Sequence, residues 1–146
     1  MKKKVLITGV AGQDGSYLSE YLLSQGYEVH GMVRRNSVSE NQDSRIKDLD
    51  VTTHYGDLLD VPSITRIISE VQPDEVYNLG AQSHVRVSFD VPSFTIQTNA
   101  IGVLNLLEVC RTLIPNVKFY QASSSEMFGN SIDPDGYQRK TTLMNP

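Results

Sequence analysis

Cysteine is almost absent from this sequence: Cys110 is the only one among 146 residues, so no internal disulfide framework can form. Its place in a helical pattern suits a small core residue better than a reactive thiol. Long apolar runs are also lacking. Met1-Lys2-Lys3-Lys4 has the basic start of a signal peptide, but the run that follows, Val5-Leu6-Ile7, stops at Thr8-Gly9 and is too short for a signal h-region or a membrane span. Net positive charge is lacking too. The formal charge is −4 and the pI about 5.3, which argues against a nucleic-acid partner or a membrane surface, since both favour a basic face. No His, Cys and carboxylate cluster has metal-ligand spacing, so no metal is expected. No Gly-x-x-x-x-Gly-Lys-Ser/Thr stretch marks a P-loop nucleotidase. The expectation is a cytoplasmic protein.

Apolar residues make up 39% of the chain, below the globular average, but they gather into clean runs. Val5 to Ile7 is a short continuous run, as in a strand buried on both faces. Tyr17, Leu18, Tyr21 and Leu22 recur at helical spacing, with Gly26 as a stop. Further strands are expected over 29–33, 51–55, 75–79 and 117–120. Helical stripes are carried by Val61, Ile64, Ile67, Ile68 and Val71, and by Val103, Leu106, Leu107, Cys110, Leu113 and Ile114. The polar stretch 36–48 reads as a loop, and 129–146 contains no regular element. Strands alternating with helices predict an α/β fold, a doubly wound parallel sheet of Rossmann type over residues 1–146. Ligands of such sheets bind beyond the carboxyl ends of the strands.

Gly9, Gly12 and Gly15 sit three apart between the first strand and the first helix. A chain that must turn sharply, admit a diphosphate to its backbone and pack helix on sheet needs small residues at such points. The helix N-terminus then offers unpaired N–H groups and partial positive charge to the phosphates. The alternative is a tight glycine-rich turn without a ligand. At the end of the second strand, a carboxylate for the ribose hydroxyls is missing. Arg34-Arg35-Asn36-Ser37 stands there instead, and two guanidinium groups suit a 2′-phosphate. That favours NADP over NAD, unless the arginines form a solvated pair or an oligomer contact.

Beyond the glycines, Gly9-Val10-Ala11-Gly12-Gln13-Asp14-Gly15-Ser16-Tyr17-Leu18 resembles the opening of the GDP-mannose 4,6-dehydratases, a family of the extended short-chain dehydrogenase/reductase superfamily. Four later blocks are similar to the same family in the same order. They are Val29-His30-Gly31-Met32-Val33-Arg34-Arg35, His54-Tyr55-Gly56-Asp57-Leu58, Tyr77-Asn78-Leu79-Gly80-Ala81-Gln82-Ser83-His84-Val85 and Tyr120-Gln121-Ala122-Ser123-Ser124-Ser125-Glu126. The resemblance implies that Gly9, Val10, Ala11, Gly12, Gln13 and Asp14 hold the cofactor diphosphate. It assigns Arg34, Arg35, Asn36 and Ser37 to the 2′-phosphate, and Asp57 and Leu58 to the adenine. It places Leu79, Gly80, Ala81, Gln82 and Ser83 along the path to the nicotinamide ribose. Asn36 stands where the family more often has serine. Phe94 stands where it often has a cofactor-contacting tyrosine, so only packing is expected there. Ser124 falls at the sugar-contacting hydroxyl and Glu126 at the acid/base, two residues apart and so on the same side of the chain if the extended geometry of the fifth strand persists. Without the resemblance, Ser123 to Ser125 would read as a polar turn, Glu126 as a cap or solvent-facing charge, and His84 as a structural histidine.

The implied activity is conversion of GDP-mannose to GDP-4-keto-6-deoxy-mannose through an internal NADP hydride cycle and loss of water, in a homo-oligomeric enzyme. One part of the pattern is missing. The superfamily pairs a tyrosine with a lysine four residues later, and no such pair occurs: Tyr137 is followed by Thr141, and Lys140 is at the wrong offset. The expectation is a truncated NADP-binding domain that lacks its C-terminal substrate domain, is inactive alone, and exposes apolar surface its missing parts would cover. Two rival readings are an epimerase or 4-reductase of the same superfamily, which needs no eliminating carboxylate at Glu126, and a non-catalytic dinucleotide-binding domain.

Overall fold

The computed structural model describes residues 2–35 and 44–146. Asn36, Ser37 and most of the predicted 36–48 loop therefore lie outside the described residues. Strands β1 (Lys4–Thr8), β2 (Glu28–Val33), β3 (Val51–Tyr55), β4 (Glu75–Asn78) and β5 (Lys118–Gln121) form one parallel sheet in the order β3-β2-β1-β4-β5. Helices α1 (Gln13–Ser24), α2 (Val61–Val71), α3 (Val85–Asp90), α4 (Pro92–Ile96) and α5 (Gly102–Leu113) connect them, with a π-helical turn at Gln97–Ile101 and a 3-10 turn at Ser125–Phe128. The chain steps outward from β1 through β2 to β3, then crosses to β4 on the other side. The direction reverses between β1 and β4, and a crevice opens beyond their carboxyl ends.

The unbroken apolar run of β1 has its reason in two cores. Val5 and Ile7 pack with Val10, Leu22, Val29 and Val33 on one face of the sheet, while Leu6 packs with Met32, Ile64, Ile67, Ile68, Val76, Leu106 and Cys110 on the other. With both faces covered, every side chain of the strand's middle is buried. Helix α2 shows the local rules at both ends. The Asp60 carboxylate accepts from the Ser63 amide as an N-cap, Pro62 sits in the first turn, and the left-handed Gln72 (φ 49°) closes the helix one residue before Pro73. Its Ile64, Ile67, Ile68 and Val71 are all buried, and each contributes roughly 1.5–3 kcal/mol by leaving water.

Three differences from the expected elements matter for the site. First, β4 ends at Asn78, so Leu79 belongs to the loop beyond it. Second, residues 85–101 are helical, although no helix was expected there. Their apolar side chains do not form a buried stripe: α3 and α4 bury no residue, and Val85, Phe89 and Ile96 are exposed. Third, the extended run into residues 124–126 is broken, as described below. Among the described residues of 129–146 there is neither helix nor strand. That segment is tied by the Arg139 guanidinium to Asp133 and Asp135 and by the Thr142 hydroxyl to Asp133. No helix among the described residues is long and apolar enough to cross a membrane.

Candidate functional site

The crevice is a cleft of about 1020 Å³. Its floor is the turn from β1 into α1. Gly9 has φ +67°, and a Cβ there would lie 2.9 Å from Leu79 and Gly80 backbone atoms. The Gly12 amide donates to the Gly9 carbonyl at 2.9 Å, and Gly12 then caps α1 without a side chain. Gly15 lets the helix close on the turn, because a Cβ there would collide with the Gly9 carbonyl oxygen. The amides of the first helical turn have no intrahelical acceptor, and Asp14 is acidic in that turn. Gly9, Ala11 and Gly12 line the cleft. The Val10 side chain instead points into the core and is fully buried. Gln13 and Asp14 are exposed and stand beside the cleft rather than in its wall.

The β2 and β3 ends form the far wall. Arg34 and Arg35 follow Val33, are exposed, and line the cleft with Tyr55, Gly56, Asp57 and Leu58. Asp57 is held in a turn: its carboxylate accepts from the Leu59 amide at 2.9 Å, and its own amide donates to the Ser63 hydroxyl at 3.2 Å. Leu58 is buried, and its carbonyl accepts from the Asn105 side chain on α5 at 3.0 Å. Asn105 thus ties this loop to α5. Arg45 donates to the Ala11 carbonyl at 3.4 Å and so reaches the glycine turn. Nothing in the spacing of Asn105 or Arg45 signals these contacts.

Between β1, β4 and β5 runs a polar ladder that sequence reasoning missed. The Thr8 hydroxyl donates to the Asn78 side-chain oxygen and accepts from the Gly80 amide at 3.0 Å, while the Asn78 amide group donates to Gln121 at 2.8 Å. Thr8 and Asn78 are both fully buried. The signal was available: each is a polar residue at the end of an apolar strand, where a buried polar group must find a partner. The ladder fixes the start of the Leu79–Ser83 loop, of which Leu79, Gly80, Ala81 and Ser83 line the cleft. Gln82 does not. Its backbone exchanges two hydrogen bonds with the Asn99 side chain, and its side chain bonds Thr95 and the His84 backbone. His84 caps α3 through Nδ1, which accepts from the Val87 amide at 3.4 Å. Phe94 lies on α4, partly exposed, outside the cleft wall.

Ser124 and Glu126 lie past β5, on the same carboxyl edge, exposed and outside the cleft wall. The expected extended spacing does not hold, because Ser123 takes a left-handed φ of 61° and Ser125 begins a 3-10 turn. The two residues meet differently. The Ser124 hydroxyl accepts from the Glu126 amide at 3.1 Å, and the Glu126 carboxylate accepts from the Ser125 hydroxyl at 3.2 Å. A hydroxyl that accepts in this way keeps its own proton to donate. Cys110 is buried on α5, and burial pushes its thiol up to about 11, so it is inert core. Among the described residues no group of three His, Cys, Asp or Glu side chains could hold a metal ion.

Comparison with known proteins agrees with this geometry. The family model described as GDP-mannose 4,6 dehydratase matches residues 6–146. The chain is 56% identical to the GDP-mannose 4,6-dehydratase of Vibrio cholerae serotype O1, covering 99% of this chain and 41% of that protein. It is 50% identical to the human GDP-mannose 4,6 dehydratase, covering 97% of this chain and 40% of the relative. Among solved structures it is similar to the UDP-glucose 4-epimerase of Thermus thermophilus in complex with NAD, with a TM-score of 0.80 and 30% identity over 98% of this chain and 44% of that one. The chain therefore spans about two-fifths of the length of the curated relatives it matches.

Proposed function

The chain belongs to the GDP-mannose 4,6-dehydratase family, and we propose that it forms the NADP-binding part of an enzyme converting GDP-mannose to GDP-4-keto-6-deoxy-mannose. The observation that carries this reading is the cleft at the β1/β4 reversal, floored by the glycine turn and walled at one end by Arg34 and Arg35. These residues fit a dinucleotide. A side chain at Gly9 or Gly15 would fill the space against the turn, and the α1 N-terminus faces an anion favourably. The bound nicotinamide would supply a reversible hydride acceptor.

The chain's own residues divide the remaining work. The backbone from Gly9 to Asp14 receives the diphosphate. Arg34 and Arg35, with Asn36 and Ser37, hold the 2′-phosphate, and Asp57 and Leu58 frame the adenine. Leu79 to Ser83 line the path to the nicotinamide ribose, with Gln82 holding that loop through Asn99, and Phe94 adds packing. The Ser124 hydroxyl donates a hydrogen bond to the sugar O4. Glu126 removes the C5 proton and returns it to the hydroxyl leaving from C6, a task suited to an exposed carboxylate that can face the sugar.

The likeness to a UDP-glucose 4-epimerase favours a second reading, an epimerase of the same superfamily; such an enzyme has no use for an eliminating carboxylate at Glu126. We read the whole protein as cytoplasmic, in keeping with the one cysteine of these 146 residues being a buried free thiol. We read it as a homo-oligomer, in keeping with the exposed Val85, Phe89, Ile96 and Leu104 of the α3–α5 segment. The test is to incubate the complete protein with GDP-mannose and NADP and follow the 4-keto product. Glu126→Gln should abolish product while leaving NADP affinity unchanged. An epimerised nucleotide sugar in place of the keto product, or full activity of the Gln variant, would overturn the dehydratase reading.

A further inference from the structure

The segment that carries Ser124 and Glu126 is bonded mainly to itself. Among the described residues, every hydrogen bond made from Ser123 onward has its partner within 123–146. Going along the chain, the last two hydrogen bonds to the sheet come just before it, and both are with Asn78. The Asn78 side chain donates to the Gln121 carboxamide oxygen at 2.8 Å, and the Ala122 amide donates to the Asn78 carbonyl at 3.2 Å. Strand β5 gives little other support. It is four residues long, lies at the edge of the sheet, and has only Phe119 partly buried. Immediately after it, Ser123 takes φ 61° and the chain turns away. Which end of the Gln121 carboxamide faces Asn78 is set at the other end of the ladder. The Gly80 amide donates to the Thr8 hydroxyl, and the one proton of that hydroxyl goes on to the Asn78 side-chain oxygen. Asn78 therefore turns its NH2 group towards β5, and Gln121 must meet it with oxygen. Gly80 belongs to the loop that lines the cleft, and Gln121 stands three residues before Ser124. The ladder links the two.

We propose that Gln121 is a positioning residue for the dehydration: its carboxamide oxygen, bonded to Asn78, fixes where the Ser124–Glu126 turn stands relative to the Gly80 loop. The inference rests on the dehydratase reading, in which Ser124 and Glu126 meet the sugar. A segment that leaves an edge strand pivots on its last fixed points. Here there are two, the Ala122 amide on the backbone and Gln121 on a side chain. With the Gln121 bond gone, one point remains, and the turn is free to rotate about it. Elimination needs the carboxylate aligned with the C5 proton, and a misplacement of about 1 Å can cost on the order of 100-fold in rate. Stability is far less exposed to the change, because the Gln121 side chain lies at the surface.

The experiment uses the complete protein with three substitutions. Gln121→Met keeps the length of the side chain and removes the carboxamide oxygen. Gln121→Asn keeps the carboxamide but draws it back by one methylene. Gln121→Glu keeps an acceptor oxygen in place and removes the NH2 group. The kcat and KM for GDP-mannose, the NADP affinity and the melting temperature are measured for each. Gln121→Met and Gln121→Asn should both lower kcat by about 10- to 100-fold and leave KM, NADP affinity and melting temperature unchanged. Gln121→Glu should restore most of the turnover. Wild-type kcat in the Met and Asn variants would overturn the proposal alone. So would a loss in the Glu variant as large as in the Met variant, which would assign the role to the NH2 group. A kcat loss matched by an equal loss of NADP affinity would also overturn it, by placing the effect in the cleft loop. A wild-type protein that forms no 4-keto product would overturn the dehydratase reading itself, and this proposal with it.

Discussion

Replacing Gly9 with alanine tests the floor of the cleft, and the molecule contains its own control. Two costs act at Gly9. Its φ of +67° is left-handed, and an alanine there loses about 1–2 kcal/mol to that backbone strain. The added Cβ would also lie 2.9 Å from the Leu79 carbonyl and the Gly80 amide. These are backbone atoms tied into the Thr8–Asn78 ladder, so they cannot swing aside as a flexible side chain would. Overpacking of this kind typically adds about 1–3 kcal/mol. The sum is roughly 2–5 kcal/mol. Gly26 has a similar φ of +81°, but a Cβ added there would have nothing within 4 Å, so Gly26→Ala carries the strain alone. The assay is urea unfolding of the complete protein in the absence of ligand, together with NADP titration. Gly9→Ala should lose about 1–3 kcal/mol more than Gly26→Ala. Its NADP dissociation constant should rise at least about tenfold, because displacing Gly9 moves Gly12 and the α1 N-terminus out of line. Gly26, beyond the other end of α1, should leave affinity unchanged. Equal stability losses in the two variants would refute the reasoning, since strain alone would then account for both.

Three further outcomes follow from the same structure. Arg34→Ala and Arg35→Ala should each raise the NADP dissociation constant by about 10- to 100-fold, the size of a charge-assisted hydrogen bond, and leave NAD affinity unchanged; equal effects on both nucleotides would remove the arginines from the 2′-phosphate. Asn78→Leu strands the Thr8 hydroxyl and Gln121, so unfolding experiments should show a loss of about 1–3 kcal/mol, and a change within about 0.5 kcal/mol would deny the ladder a structural role. His54 is held below its ordinary value first by burial and next by the neighbouring His30, against the opposing pull of Glu70. The folded protein therefore binds this proton less readily than the unfolded chain, so the stability is present above the unfolded pKa of about 6.5 and declines as pH falls below it. Melting temperatures taken from about pH 7.5 down to 5.5 should fall, and His54→Gln should flatten the slope; parallel slopes would assign the decline to other groups.

The sheet was legible because each of its strands carries its own burial signal. Val5 to Ile7 could be read as a two-faced strand, and the α2 stripe of Ile64, Ile67, Ile68 and Val71 as a helix, since in both cases the buried side chains set the period. The segment from Val85 to Val91 had no such signal. Val85, Val87, Phe89 and Val91 alternate with polar residues at a strand's period, yet α3 is helical and buries none of its residues. Periodicity reports burial, so a helix with no buried face is invisible to it. The cleft divides in the same way. The glycine turn and the two arginines are sequence-local features and could be read directly. Asn105, Thr8 and Asn78 act across the fold, and their roles depend on which elements become neighbours.

Ser124 and Glu126 show where family resemblance and local geometry part. Their two-residue spacing suggested side chains on one side of an extended chain, but Ser123 at φ 61° turns the backbone, and the 3-10 turn that follows brings the Glu126 amide onto the Ser124 hydroxyl. The pair remains adjacent for a different reason: one residue caps the turn that carries the other. Replacing Ser124 with alanine removes both the hydroxyl proposed to meet the sugar and the cap on the turn that carries Glu126, whereas threonine keeps both. Turnover of GDP-mannose by the complete protein should therefore collapse in Ser124→Ala and survive in Ser124→Thr, with NADP affinity unchanged in each. Equal turnover in the two variants would mean that the hydroxyl neither touches the substrate nor holds the carboxylate in place.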